Sequence, residues 1–183
     1  MTLANKLTIS RIFLAGIFMA FLFGHGLLSK VIALCVFIAA SLTDILDGYF
    51  AKKRNEVSAF GKLMDPIADK MLTLAAFLAF VEMKIVPAWI VAIIIFREFL
   101  ITGLRIIALK NGKIIEAGRT GKQKTFFQIV AIYVILIFII FNVQYEFQNI
   151  VFFMMLVVTS LTLISGAIYI EKARAYFLNE KNR

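Results

Sequence analysis

Cysteine occurs once in the 183 residues, at Cys35, so neither a disulfide framework nor a cysteine zinc site can be built. Proline occurs twice and glycine ten times, and so few breakers favour long uninterrupted helices. Regular alternation of polar and apolar residues is weak, which argues against an outer-membrane barrel. Acid is also scarce, with eleven Asp and Glu against twenty Lys and Arg, a formal charge of +9. In a soluble protein that excess would raise the question of nucleic acid. Here 62% of the residues are apolar, nineteen are Phe, and the mean hydropathy is +0.92. A water-soluble fold of this length cannot hide so much apolar surface, and the chain is too short for two ordinary domains. The natural counterpart of the basic charge is the anionic face of a bilayer, with membrane lipids as partners and no nucleic acid required.

A helix needs about 20 apolar residues to cross a hydrocarbon core of about 30 Å. Six candidate spans meet or approach this: Ile12 to Ser29, Val31 to Phe50, Leu63 to Val81, Ile85 to Leu109, Thr125 to Phe141 and Ile150 to Ile170. No small-x-small cleavage site follows Phe23, so the first of them reads as an anchor rather than a signal peptide. Residues 1–11 read as an interfacial segment before it. With the N-terminus inside, fifteen Lys and Arg fall on the cytoplasmic side, whereas only Lys30 and Lys84 fall outside. The positive-inside rule then places both termini in the cytoplasm of a multi-pass protein of the cell membrane. The outer connections, Gly24 to Gly26, Glu82 to Val86 and Asn142 to Asn149, leave little room for an external domain. Asn111-Gly112 reads as the stop of the fourth helix. The fold class is therefore an all-α integral membrane protein of six helices, residues 1–183 forming one domain.

Charge inside a span is costly unless it meets a partner or a wet cavity. Eight charged residues lie within these spans: Asp44, Asp47, Asp65, Asp69, Lys70, Arg97, Glu98 and Arg105. Asp44 and Asp47 are three apart and Asp65 and Asp69 four apart, so each pair shares a helix face. A short basic loop makes the two helices antiparallel neighbours. Counted from Val31, Asp44 lies about 20 Å along its helix, towards the cytoplasmic side, and Asp69 reaches a similar depth from the other direction. Four carboxylates in one volume demand protonation or a cation, and an all-oxygen set suits Mg²⁺ or Mn²⁺ rather than zinc or copper. Gly48, Ala51 and Gly61 place small residues beside the cluster, where a bulky ligand or a neighbouring helix can come close.

The run Asp44-x2-Asp47-Gly48-x2-Ala51-Lys52-x8-Gly61-x3-Asp65-x3-Asp69 resembles the signature of the CDP-alcohol phosphatidyltransferases, with seven of its eight fixed positions matched. Lys52 departs from the Arg of that signature, which keeps the charge but loses the bidentate fork. Further runs resemble a bacterial branch of the family that uses glycerol 3-phosphate as acceptor. These are Asn5-x2-Thr8-x2-Arg11, Phe60 to Lys70, Arg97-Glu98-Phe99-x2-Thr102-Gly103-Leu104-Arg105, and Gly121-Lys122-x-Lys124-Thr125-x2-Gln128. The resemblance implies a homodimeric six-helix enzyme with its active site in a cytoplasm-facing cavity within the membrane. It would move a phosphatidyl group from CDP-diacylglycerol to glycerol 3-phosphate and release CMP. Asp44, Asp47, Asp65 and Asp69 would hold two divalent ions, Asp69 also taking the proton of the attacking hydroxyl. Gly48, Ala51, Lys52, Gly61, Asn5 and Thr8 would contact the CDP-lipid.

An acceptor with its own phosphate needs fixed cations. Arg97 and Arg105 are eight residues apart on one face of the fourth helix, and Lys122 and Lys124 open the fifth helix on the same side. Positive-inside topology explains the two lysines as well, and an ion pair with Glu98 or Asp69 is the structural alternative for Arg97. His25 reads as a solvated loop residue, Cys35 as packing and Trp89 as part of an interfacial belt. Other acceptors, serine or inositol phosphate, are the rivals within the family. A divalent-cation transporter is the rival outside it, although no acidic residue marks an exit through the outer half.

Overall fold

The computed structural model describes residues 3–51, 59–110 and 119–178, with side chains described at 10–43, 70–108, 121 and 123–174. Among the described residues the chain is all helix: α1 Leu3–Phe23, α2 Leu27–Ala51, α3 Ala59–Glu82, α4 Ala88–Lys110, α5 Arg119–Ile140 and α6 Gln148–Leu178. Helix α1 packs on α2 and α3, which in turn meet α5, while α4 and α5 both lie against α6 and α4 also meets α3.

The aromatic wealth of the sequence supplies the core. Phe18, Phe37, Phe77 and Phe80 are fully buried with Ile90, Ile94, Ile132, Ile135 and Met155. Phe37 joins α1 to α5, its ring 5.5 Å from Phe18 and 5.3 Å edge-on to Tyr133; such pairs add about 0.5–1.5 kcal/mol to the burial itself. Apolar side chains also crowd the outside. Phe13, Phe96, Phe126 and Phe153 are each more than 60% exposed on four different helices, as is Phe141 just beyond the end of α5. By length and composition two of the described helices could cross a membrane, through windows Gln123–Ile140 and Gln148–Arg174, and Ser10–Phe23 and Leu27–Thr43 are shorter apolar stretches.

The first expected span, Ile12 to Ser29, is cut short. Helix α1 ends at Phe23 and α2 already begins at Leu27. Gly26 adopts φ 83°, and Ser29 Oγ fills the place where a Cβ of Gly24 would stand. Ser29 Oγ donates to Phe21 O at 2.6 Å, and Lys30 Nζ donates to the carbonyls of Leu22 and Gly24. The last carbonyls of α1 are thus satisfied by the first turn of α2. Residues 3–11 continue into α1 without a break.

Helices α3 and α5 end alike. Ile85 N–H donates to Phe80 O and Lys84 N–H to Val81 O; Val143 N–H donates to Phe138 O and Asn142 N–H to Ile139 O. Each is the paired bonding of a Schellman end, with Lys84 (φ 58°) and Asn142 (φ 56°) in the left-handed position usually held by glycine. Pro87 precedes α4, which therefore starts at Ala88 rather than Ile85. The Asn111-Gly112 stop lies outside the described residues, and α4 runs to Lys110.

Candidate functional site

The described interior is polar where α3, α4, α5 and α6 meet. Glu98 of α4 is buried, and both of its carboxylate oxygens are taken: Oε2 by Lys70 of α3 at 3.0 Å, Oε1 by Lys124 of α5 and by Arg97 at 3.3 Å. Lys70 Nζ also donates to Thr102 Oγ1 and to Glu98 O at 3.3 Å, and Thr102 Oγ1 donates to Glu98 O at 2.7 Å. Arg97 Nη2 donates to Ser165 Oγ of α6 at 2.5 Å. One carboxylate therefore ties three helices, and Arg97 adds the fourth.

Helical spacing builds this cluster. Glu98, Thr102 and Arg105 fall at intervals of four and three on α4, Lys124 and Gln128 four apart on α5, and Ser165 and Tyr169 four apart on α6. Arg105 stands over the Tyr169 ring at 6.0 Å, within cation–π reach. Four cations, Lys70, Arg97, Arg105 and Lys124, gather near one described carboxylate. Three buried atoms that can donate have no hydrogen-bond partner among the described residues: Arg97 Nε, Gln128 Nε2 and Tyr169 OH. Buried donors are ordinarily satisfied, and a surplus of positive charge beside unpaired donors suits an oxygen-rich anion such as phosphate.

Of the residues singled out for the acceptor phosphate, Arg97 and Lys124 come together on the Glu98 carboxylate, and Arg105 lies against Tyr169. The ion pair of Arg97 with Glu98, the structural alternative, is also present. The Lys122 side chain lies outside the described residues, as do those of Asn5 and Thr8 in α1. Asp44, Asp47, Gly48 and Ala51 fall in the last part of α2, and Gly61, Asp65 and Asp69 in the first half of α3, which packs on α2. Their side chains are not described, and Lys52 lies outside the described residues altogether. Among the described residues no cluster of three His, Cys, Asp or Glu is present. The donor set of the four aspartates remains all oxygen, which fits a hard divalent ion. Lys70 directly follows Asp69, so the described cluster begins one residue beyond the signature run.

Sequence reasoning gave no role to Lys70, Thr102, Gln128, Ser165, Gly166 or Tyr169. Thr102 and Gln128 stand inside the quoted motifs, and their spacing from Glu98 and Lys124 was a usable signal. Ser165 and Gly166 sit in an apolar run where only the four-residue step to Tyr169 hints at a face.

Among the described residues, fold and site together define an all-α protein with much apolar surface and a buried charged cluster. The sequence profile of the CDP-alcohol phosphatidyltransferases matches residues 1–165, and the chain belongs to that family of transferases of phospholipid biosynthesis. It is 38% identical over 184 residues to the CDP-diacylglycerol–glycerol-3-phosphate 3-phosphatidyltransferase of Bacillus subtilis (strain 168), covering 93% of this chain and 94% of that protein. The enzyme of the same name from Rickettsia felis is 34% identical over 182 residues, covering 96% of this chain and 97% of that one. A probable phosphatidylglycerophosphate synthase of Mycobacterium tuberculosis (strain H37Rv) is 38% identical over 133 residues, covering 71% and 63%.

Proposed function

We propose that this chain is a multi-pass enzyme of the cytoplasmic membrane, acting as a homodimer, that transfers the phosphatidyl group of CDP-diacylglycerol to glycerol 3-phosphate. The observation that carries the acceptor is the buried cation cluster on Glu98 with its unpaired donors. Serine, which offers a single carboxylate and no phosphate, would match less of that charge. The exposed phenylalanines on four helices support embedding in lipid, and the positive-inside pattern supports six spans with both termini and the active-site cavity on the cytoplasmic side.

In this reading Arg97, Arg105, Lys122 and Lys124 hold the acceptor phosphate. Its free hydroxyl oxygen then attacks the phosphorus that bears the diacylglycerol; the bond from that phosphorus to the CMP oxygen breaks, and CMP leaves with the electron pair. Asp69 accepts the hydroxyl proton. Gly48, Ala51, Lys52 and Gly61 admit the CDP-lipid on the face between α2 and α3, with Asn5 and Thr8 reaching it from α1. Asp44, Asp47, Asp65 and Asp69 would hold two Mg²⁺ or Mn²⁺ ions, which when bound supply charge neutralisation at the diphosphate. Residues 1–11 lie at the membrane surface.

Purified protein supplied with CDP-diacylglycerol and, in turn, glycerol 3-phosphate, serine or inositol phosphate tests the reading. Release of CMP with glycerol 3-phosphate alone, and only with Mg²⁺ or Mn²⁺ present, is the expected result. Preferential turnover with serine would overturn the acceptor assignment.

A further inference from the structure

Helix α6 contributes more to the cation cluster than an apolar span would. Where it passes Arg97 it carries Ser165 and Gly166, and the two meet different parts of that side chain. Ser165 Oγ accepts from Nη2 at 2.5 Å. A Cβ on Gly166 would stand 3.1 Å from Arg97 Cγ and 3.3 Å from Nε, closer than an undisturbed side chain allows. The guanidinium is therefore fixed at Nη2 by Ser165 and at Nη1 by Glu98, 3.3 Å away, while its stem lies across the bare backbone of Gly166. Nε is left without a partner among the described residues although Arg97 is 8% exposed. One turn further along the same helix, Tyr169 meets Arg105, and its hydroxyl has no partner among the described residues.

We infer that Ser165 and Gly166 are positioning residues that seat the Arg97 guanidinium against α6 and hold it in place for the phosphate of the acceptor. Affinity for a phosphorylated acceptor is then set partly by α6, a helix that bears none of the cations of the cluster. The inference rests on the reading of Arg97 as an acceptor-phosphate residue. Its physical basis is preorganisation. A long arginine stem loses rotamer freedom when it grips an anion, and a stem already seated has less to lose. The absent side chain at 166 matters because any Cβ would press on the stem at Cγ and Nε and push the guanidinium from its seat.

The test uses the purified full chain and the variants Ser165→Ala, Ser165→Thr, Gly166→Ala and Arg97→Ala, with KM measured for each substrate and inorganic phosphate as a competitor of glycerol 3-phosphate. Ser165→Ala is expected to raise KM for glycerol 3-phosphate about tenfold, the effect of losing one hydrogen bond to a charged group, and Gly166→Ala to raise it in the same direction by displacing the stem, with KM for CDP-diacylglycerol within about twofold in both. Competition by inorganic phosphate weakens in parallel. Ser165→Thr, which keeps the hydroxyl, returns KM to within about threefold of the parent. Equal changes in both KM values, or a Ser165→Thr variant as impaired as Ser165→Ala, would show a packing role and overturn the inference. If Arg97→Ala raises KM for glycerol 3-phosphate and the α6 variants do not, the seat fails while the acceptor pocket stands. If Arg97→Ala leaves that KM unchanged, the pocket itself fails.

Discussion

Glu98 shows how a single carboxylate can be structural in the middle of a proposed catalytic chain. Both of its oxygens are engaged by cations from three helices, so it is largely occupied in ion pairing and poorly placed to act as a base. Removing its charge leaves Lys70, Arg97 and Lys124 facing one another in a poorly screened interior. Glu98→Gln is therefore expected to cost about 3–5 kcal/mol, the scale for breaking a buried pair from one side. Lys124→Met should cost less, because Lys70 and Arg97 still neutralise the carboxylate. Thermal unfolding of the purified variants checks the order, and a Glu98→Gln protein as stable as Lys124→Met would refute the hub. Asp69 is proposed for a different task. Asp69→Asn keeps the shape and one metal-binding oxygen but cannot take a proton, so kcat should fall on the order of 10²-fold or more with CDP-lipid binding retained. Asp44→Asn should instead lose binding. Turnover by Asp69→Asn near the parent rate would move the base elsewhere.

At the scale of elements, helices were legible because apolar runs broken by short polar stretches have one economical solution, whereas their ends depended on bonds between elements. Nothing in Gly24-His25-Gly26 announces that Ser29 and Lys30 of the next helix will cap α1, so the first span was drawn too long. Lys84 is a harder case, since a lysine is an unusual occupant of a left-handed helix end and gives no turn signal. Asn142, which tolerates that conformation, does. The site divides in the same way. Arg97, Arg105 and Lys124 were legible because charge in an apolar run is costly, but Ser165 and Gly166 were not, since their role depends on which helix passes Arg97. Lys84 also yields a prediction. Relief of its left-handed strain by Lys84→Gly should stabilise the protein by up to about 1 kcal/mol, while Lys84→Ile, whose branched Cβ resists positive φ, should destabilise it by about 1 kcal/mol or more. Thermal midpoints followed by Trp89 fluorescence would show the opposite signs; a shift of the same sign in both would mean that this turn relaxes out of the left-handed region.

For the whole molecule the question is which way it faces, because in the proposed reaction a charged acceptor and CMP must be exchanged on one side of the membrane. In the proposed six-span arrangement fifteen Lys and Arg fall on one side and two on the other. Of the two cations which that arrangement puts outside, Lys30 is spent on the carbonyls of Leu22 and Gly24, which leaves Lys84 as the cation less committed to structure there. An insertion opposed by so little outer charge should be uniform in orientation. The check is labelling with a membrane-impermeant thiol reagent in intact cells, after Cys35→Ser removes the native thiol. A cysteine introduced by His25→Cys, in the α1–α2 connection, should label without permeabilisation. One introduced by Lys181→Cys should label only after the membrane is opened, because an even number of spans returns the chain to the side of its N-terminus. Labelling of the position 181 variant from outside would place the C-terminus across the membrane and break the six-span arrangement. Labelling of neither variant until permeabilisation would keep position 25 inside, and with it would fall the proposal that the aspartates and the Glu98 cluster face the cytoplasm.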